Sequence, residues 1–167
     1  AAIITSIAMF YDLEDPRRFV QDVAESLADD GIWYFEQSYM PSMLRTNAYD
    51  TVCNEHLEYY ALAPVKKLLE ECDLKVIDVQ MNGVNGGSFA VTAARRSARI
   101  RANDVMIDWL LRREEQSGLN TPRPYREFET RVFEHRTALV SLVRSLVADG
   151  KKVAGYGAST KGNVLLQ

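Results

Sequence analysis

A chain of 167 residues, 47% apolar and 26% charged with a net charge of −3, has the size and balance of one globular domain, or of one domain plus part of another. That balance excludes a disordered or fibrous chain, and acids and bases mixed along its length leave no basic surface for nucleic acid or anionic lipid. Two cysteines, Cys53 and Cys72, sit in no framework pattern, which points to free thiols in a reducing, cytoplasmic compartment; no apolar run nears the roughly 20 residues of a membrane span.

The chain opens on AAIITSIAMF, with no initiating Met, and ends on STKGNVLLQ, inside a young helix. Natural domains usually begin and end in polar, exposed segments, so the expectation is a piece of a longer protein. Ile3 to Met9 reads as a buried strand. Asp15 is a candidate helix N-cap with Pro16 as the first helical residue, and Phe19, Val20, Val23 and Leu27 then repeat at helical spacing until Gly31 closes the helix. IWYFEQ follows as a second apolar strand. Strand, helix, strand with short connections is a βαβ unit, hence a largely parallel sheet. PSMLRT reads as a short helix, and another starts at Pro64 and ends near Cys72. LKVIDVQ and GSFAVTAAR, joined by the turn-forming MNGVNG, read as an antiparallel pair.

Past Arg95 the texture changes. ARRSARIR is basic and polar, a linker, and two helical stretches follow, broken by SGLNTPRP. The second carries Tyr125, Phe128, Val132, His135, Leu139, Leu142 and Leu146 in steps of three and four, a stripe suited to packing on another helix, bridging two domains, or joining two copies into a homodimer. GKKVAGYGASTKGN then reads as strand, glycine turn and helix start. The expected organisation is one α/β half over residues 1–95, a linker and helical region over 96–121, and a long helix leading into a second α/β unit over 122–167.

Three stretches are candidates for chemistry. YDTVCNEHLEYY places Glu55 beside His56 and close to Tyr59. A neutral imidazole takes protons near physiological pH, a carboxylate beside it sets its tautomer, and a tyrosine orients a hydroxylated substrate. The plainer alternative is a surface Glu-His over packed tyrosines. Cys53, His56 and Cys72 fall short of the four ligands of structural zinc, so no metal is expected. GYGASTKGN has Gly155, Gly157 and Gly162 close to, but not in, the dinucleotide fingerprint; with Lys161 it is either a phosphate-binding turn or a tight strand-to-helix turn. In NGVNGGSF, Gly86 and Gly87 permit close backbone approach and Asn85 can hydrogen-bond a ligand; a hairpin turn explains the same residues.

In order, these pieces resemble a known family. SIAMFYDLEDPRRFVQDVAESLADDGIWYFEQSY resembles the later half of a class I S-adenosylmethionine-dependent methyltransferase, a partial Rossmann-like sheet. YDTVCNEHLEYYAL, VNGGSFAVTAAR and VAGYGASTKGN together are similar to the C-methyltransferases that act on nucleotide-linked keto-deoxyhexoses. The resemblance covers essentially the whole chain. It implies His56 as the base that removes the proton next to the keto group, Glu55 as its orienting partner, a substrate contact from Tyr59 and the Asn85–Gly87 turn, and S-adenosylmethionine as methyl donor. Cys53, Asn54, Asp12 and Asn85 stand where some relatives carry tyrosine or histidine, which bears on the sugar and the carbon methylated. The family's glycine-rich donor loop and zinc-module cysteines are not among these residues, so this piece is expected not to bind the donor or methylate by itself. Two other classes fit parts of the sequence: an NAD(P)-type oxidoreductase fragment, from GYGASTKGN, and a non-catalytic Rossmann-like module that dimerises through the long helix.

Overall fold

The computed structural model describes residues 1–157 and 160–166. Four strands, β1 (Ile3–Ile7), β2 (Ile32–Ser38), β3 (Leu74–Asn82) and β4 (Ser88–Arg95), form one sheet in the order β1-β2-β4-β3. β1 runs parallel to β2, while β4 lies antiparallel to both its neighbours. The helices are α1 (Pro16–Ser26), α2 (Met40–Thr46), α3 (Leu62–Glu71), α4 (Asp104–Gln116), α5 (Arg123–Ala148) and α6 (Thr160–Leu166). The expected mixed α/β half-sheet with an antiparallel final hairpin is therefore present.

Local chemistry explains the elements. The Asp15 carboxylate accepts the backbone N–H of Arg18 at 2.9 Å and Pro16 takes the first helical position, so α1 starts where both residues favour it. Period-two alternation in β2 sends Trp33, Phe35 and Gln37 to one face, where the main core covers Trp33 and Phe35 with residues of α1 and α3. Phe10, just after β1, packs its ring 5.4 Å from Phe35 and 5.2 Å from Tyr60, and Trp33 stacks on Phe35 at 4.2 Å. Buried aromatic pairs of this kind each add about 1 kcal/mol beyond their area. β3 carries a bulge at Ile77, between Val76 paired with Ala93 and Asp78 paired with Thr92. The Ile77 carbonyl accepts the N–H of Asn103 at 2.8 Å and so docks the start of α4. Ile107 and Leu110 of α4 join the main core.

Four expectations change. β1 is an edge strand rather than a buried one: Ile3 and Ile7 are exposed, and the buried residue is Ser6, whose hydroxyl accepts the Trp33 indole N–H at 3.0 Å. α1 stops at Ser26, before Gly31; that glycine is required because a Cβ there would stand 2.6 Å from the Ala1 carbonyl oxygen. The basic segment after Arg95 is docked, not free. Arg96 donates its N–H to the Asp73 carbonyl, Lys75 Nζ donates to the Ala98 carbonyl at 2.7 Å, and Ala98 is buried. Finally, residues 151–157 form no strand: Val153 and Tyr156 stand in solvent, and apolar alternation alone cannot hold a strand without a neighbouring edge. The helix start that follows is present as α6.

None of α5 is buried. Its first half is tied to α2 and the following loop: Arg131 Nη2 donates to the Leu44 carbonyl at 2.7 Å and Tyr49 Oη lies 2.8 Å from His135 Nδ1. Beyond that the expected stripe runs over open surface, with Leu142 57% exposed.

Candidate functional site

The parallel pair β1 and β2 ends on the side of the sheet where His56 lies. β1 leaves through Ala8, in the left-handed region at φ 52°, into a 3₁₀ turn over Phe10–Asp12; β2 leaves through Tyr39 into α2. The segment from Val52 to Ala61 has little regular structure of its own, and backbone bonds fix it. The Tyr11 carbonyl accepts both Leu57 N–H at 3.0 Å and Glu58 N–H at 3.1 Å, and the His56 N–H is donated to the Cys53 carbonyl at 3.2 Å. The loop carrying Glu55 and His56 is thus pinned to the exit of β1.

The His56 ring is half-buried. Its centroid is 4.3 Å from that of Tyr11 and 6.4 Å from that of Tyr59. Tyr59 donates its hydroxyl to the Thr51 carbonyl at 3.2 Å. Together with Ser38, Met40 and Met43 these groups line a hollow of only about 10 Å³, the room of a single water molecule. Burial, then the charges of Asp12 and Cys53, push the Tyr11 phenol upward, and burial does the same for Tyr59. Both phenols therefore stay protonated as donors throughout the neutral range. Asp12 is exposed but its carboxyl is raised, first by partial desolvation and then by the nearby charge of Glu55, with His56 acting the other way. Asp12 thus shares its charge environment with Glu55 and His56, while Glu58 is the acid that lines the hollow itself.

Glu55 itself is exposed, and among the described residues it makes no hydrogen bond to His56. Tyr11 lines the hollow beside His56, and the sequence does not single it out, because FYDLEDP reads as turn chemistry alone. A tyrosine just past the end of a strand carries no functional signal until the loop is seen folded onto it.

Asn85, Gly86 and Gly87 lie on a different side of α2. Asn85 adopts φ 53° and its Oδ1 accepts Lys161 Nζ at 3.2 Å. Gly87, at φ 128°, lies against Ser42: a Cβ on it would stand 2.5 Å from the Ser42 Cβ. The close approach expected of these glycines is therefore to α2 of the same chain, and it brings the Gly87 carbonyl to the Tyr39 N–H at 3.0 Å. Gly87→Ala is expected to lower unfolding stability by about 2 kcal/mol or more, through overlap and an unfavourable φ together. Urea unfolding reads this directly. Adding Ser42→Gly should recover the overlap and leave the backbone cost.

Lys161 joins α6 to the Asn85 turn, while Gly155 and Gly157 are exposed, with no neighbouring group within 4 Å of where a Cβ would stand. The centre of that motif, residues 158 and 159, lies outside the described residues. No group of three His, Cys, Asp or Glu among the described residues could hold a metal ion. No described helix is long and apolar enough to cross a membrane.

A buried carboxylate supports this arrangement from outside it. Glu114, on α4, is 4% exposed; it accepts Tyr39 Oη at 2.8 Å, Leu62 N–H at 2.6 Å and Ala63 N–H at 2.9 Å. Desolvation, then the Glu114 charge and hydrogen bond, drive the Tyr39 phenol far up. In the sequence Glu114 is one of two glutamates in LLRREEQ and reads as helix surface.

Two family models match the chain, one on each half. Residues 1–79 match the family model described as a methyltransferase domain, and residues 83–167 match the one described as a C-methyltransferase C-terminal domain. The C-methyltransferase NovU of Streptomyces niveus is 37% identical over 166 residues, covering 99% of this chain and 39% of that protein. The chain thus spans about two-fifths of the length of the curated relative it matches. Among solved structures, a chain from the complex of the Haloferax volcanii Trm112 methyltransferase activator with a methyltransferase superposes with a TM-score of 0.48 at 11% identity, covering 57% of this chain and 54% of that one. With the C-methyltransferase C-terminal domain matched over just more than half of its length, the chain belongs to the C-methyltransferase family.

Proposed function

We propose that this chain carries the substrate-facing half of an S-adenosylmethionine-dependent C-methyltransferase whose substrate is a nucleotide-linked keto-deoxysugar, with His56 as the base. The observation that supports this best is the position of the His56 ring: half-buried against Tyr11, at the carboxyl ends of the parallel strands β1 and β2, which is where open α/β sheets bind their ligands.

The residues at those strand ends do not fit S-adenosylmethionine. β1 leaves through Met9, Phe10 and Tyr11 and β2 through Tyr39 and Met40, bulky side chains with no glycine-rich turn for a nucleoside. No step is therefore assigned to the donor, and the chemistry derived from this chain is that of the proton. A ring nitrogen of His56 accepts the hydrogen from the carbon next to the keto group, the C–H bonding pair moves into the carbon–carbon bond, and the carbonyl becomes an enolate. The resulting imidazolium sits beside the Asp12 and Glu55 carboxylates, which favour it over separated charge in water. The hollow has room for a water and not for a hexose, so the sugar lies across its mouth, beside the exposed Glu58 and the Tyr59 edge. The nucleophile so formed is the carbon next to the former carbonyl.

Proton removal can be measured without methyl transfer. In deuterium oxide with no methyl donor, the intact protein is expected to exchange hydrogen for deuterium at one carbon of a nucleotide-linked keto-deoxyhexose, next to its carbonyl. Absence of exchange above the buffer rate, with the substrate shown to bind, would overturn the enolate reading.

A further inference from the structure

Four hydroxyl groups belong to the wall of the His56 hollow, those of Tyr11, Ser38, Thr51 and Tyr59. Two are already engaged within the chain. Thr51 Oγ1 donates to the Ala48 carbonyl at 2.8 Å, and Tyr59 Oη donates to the Thr51 carbonyl at 3.2 Å. Among the described residues the Tyr11 and Ser38 hydroxyls have no hydrogen-bond partner. Tyr11 is the one that lies against the base, its ring centroid 4.3 Å from that of His56 and the two planes tilted by 54°.

The backbone brings these two rings together. Ala8, at φ 52°, holds a side chain in the left-handed region, a costly conformation that persists only where its surroundings fix it. Its N–H is donated to the Glu36 carbonyl at 2.8 Å, so β1 ends in a defined bend. Phe10 then enters the core, and Tyr11 meets the loop. The Tyr11 carbonyl accepts the N–H groups of Leu57 and Glu58, the two residues that follow His56. One residue thus anchors the base's loop by its backbone and faces the imidazole with its ring.

Removing a proton next to a carbonyl changes charge in two places at once. The base gains a proton from one carbon, while negative charge gathers on the oxygen of the adjacent carbon. A donor for that oxygen must stand beside the base without occupying its ring nitrogens. We propose that Tyr11 is a further catalytic residue, its phenol donating a hydrogen bond to the keto oxygen while His56 takes the neighbouring proton. This rests on the reading of His56 as the base. The C–H pair becomes the second carbon–carbon bond, the carbonyl π pair moves onto oxygen, and the phenol keeps its proton while binding the charge there. Burial, then the charges of Asp12 and Cys53, push the Tyr11 phenol up, so the donor is present wherever the imidazole is neutral. A phenol is also more acidic than an alkyl hydroxyl and the stronger donor, which favours Tyr11 over Ser38.

Deuterium exchange by the intact protein, with a thymidine 5′-diphosphate-linked 4-keto-6-deoxyhexose as probe and no methyl donor, tests this. Tyr11→Phe keeps the ring against His56 and the backbone bonds to the loop, so its circular dichroism spectrum is expected to match the wild type. Its exchange rate at saturating probe is expected to fall by about 10²–10³-fold, the usual effect of losing one oxyanion donor. Probe affinity should change by less than about threefold, since the bond strengthens as charge develops. The infrared C=O stretch of the bound probe should lie lower in the wild type than in Tyr11→Phe. His56→Gln should keep the wild-type stretch while losing exchange. Wild-type exchange in Tyr11→Phe, an unmoved stretch, or a greater loss in Ser38→Ala or Tyr59→Phe would each overturn the role of Tyr11 and leave His56 as base. No exchange by the wild type with the probe bound would instead remove the base, and this donor with it.

Discussion

Glu114→Ala is expected to lower the unfolding free energy by about 3–5 kcal/mol, because it strips the shared acceptor from three donors inside the protein. Three donors converge on one buried carboxylate: a phenol from Tyr39, and the N–H groups of Leu62 and Ala63 at the start of α3. The first N–H groups of a helix have no partner within it, and Ala61, at the N-cap, has no side chain that could cap them. A carboxylate there also meets the positive end of the helix dipole. Truncation leaves all three donors dry, at a cost of about 1–3 kcal/mol each where nothing else reaches them. Glu114→Gln keeps one acceptor and loses the charge, so about 1–3 kcal/mol is expected by the same reasoning. Urea unfolding with an unchanged m-value measures both. A loss under about 1 kcal/mol for Glu114→Ala would mean that water replaces the carboxylate at α3.

The consequence reaches the candidate site, because Tyr39 is the N-cap residue of α2 and donates its N–H to Gly87. Met40, next along, donates its N–H to the Tyr60 carbonyl at 2.9 Å. Fixing the Tyr39 ring therefore fixes the helix whose Met40 and Met43 wall the His56 hollow. Glu114→Ala should blur that site before the protein unfolds.

What the sequence makes legible is local. Asp15-Pro16 names its own helix start, the alternation in IWYFEQ names its buried face, and NG repeats between two apolar runs name the β3–β4 connection; each signal spans a few residues and needs no partner. The misreadings share a cause. Gly31 reads as a helix end because glycine commonly sits there, when a backbone oxygen at the very start of the chain is what excludes a side chain. VAGYG reads as a strand on composition, yet strands exist only where an edge accepts them. Glu114 looks like surface because its donors come from 52 and 75 residues away. The His56 loop lacks periodicity altogether; residue types alone draw attention to the Glu-His pair, and the family resemblance is what gives it a role. That Tyr11 faces it, and that Asp12 shares its charge environment, depends on hydrogen bonds from Leu57 and Glu58 back to the exit of β1.

In the intact protein, His56→Gln is expected to reduce methyl transfer by about 10²–10⁴-fold, the usual contribution of a positioned general base. Glutamine fills similar space against Tyr11 but cannot accept a proton at neutral pH. The fold should barely notice, because the ring is only half-buried and its loop is held by backbone bonds to Tyr11, not by the imidazole; a stability change within about 1 kcal/mol is expected. Asp12→Asn and Glu55→Gln each remove one carboxylate from beside the imidazolium. Each should cost much less than the loss of the ring, since two exposed acids share that task and water screens both. If Asp12→Asn costs more than Glu55→Gln, the spatial neighbour outweighs the sequence neighbour, as the charge coupling between Asp12 and His56 suggests. The decisive comparison is between variants in two assays. His56→Gln must lose deuterium exchange and methyl transfer together; a variant that keeps exchange but loses methylation would place the base elsewhere, and wild-type turnover in His56→Gln would remove the histidine from the chemistry altogether.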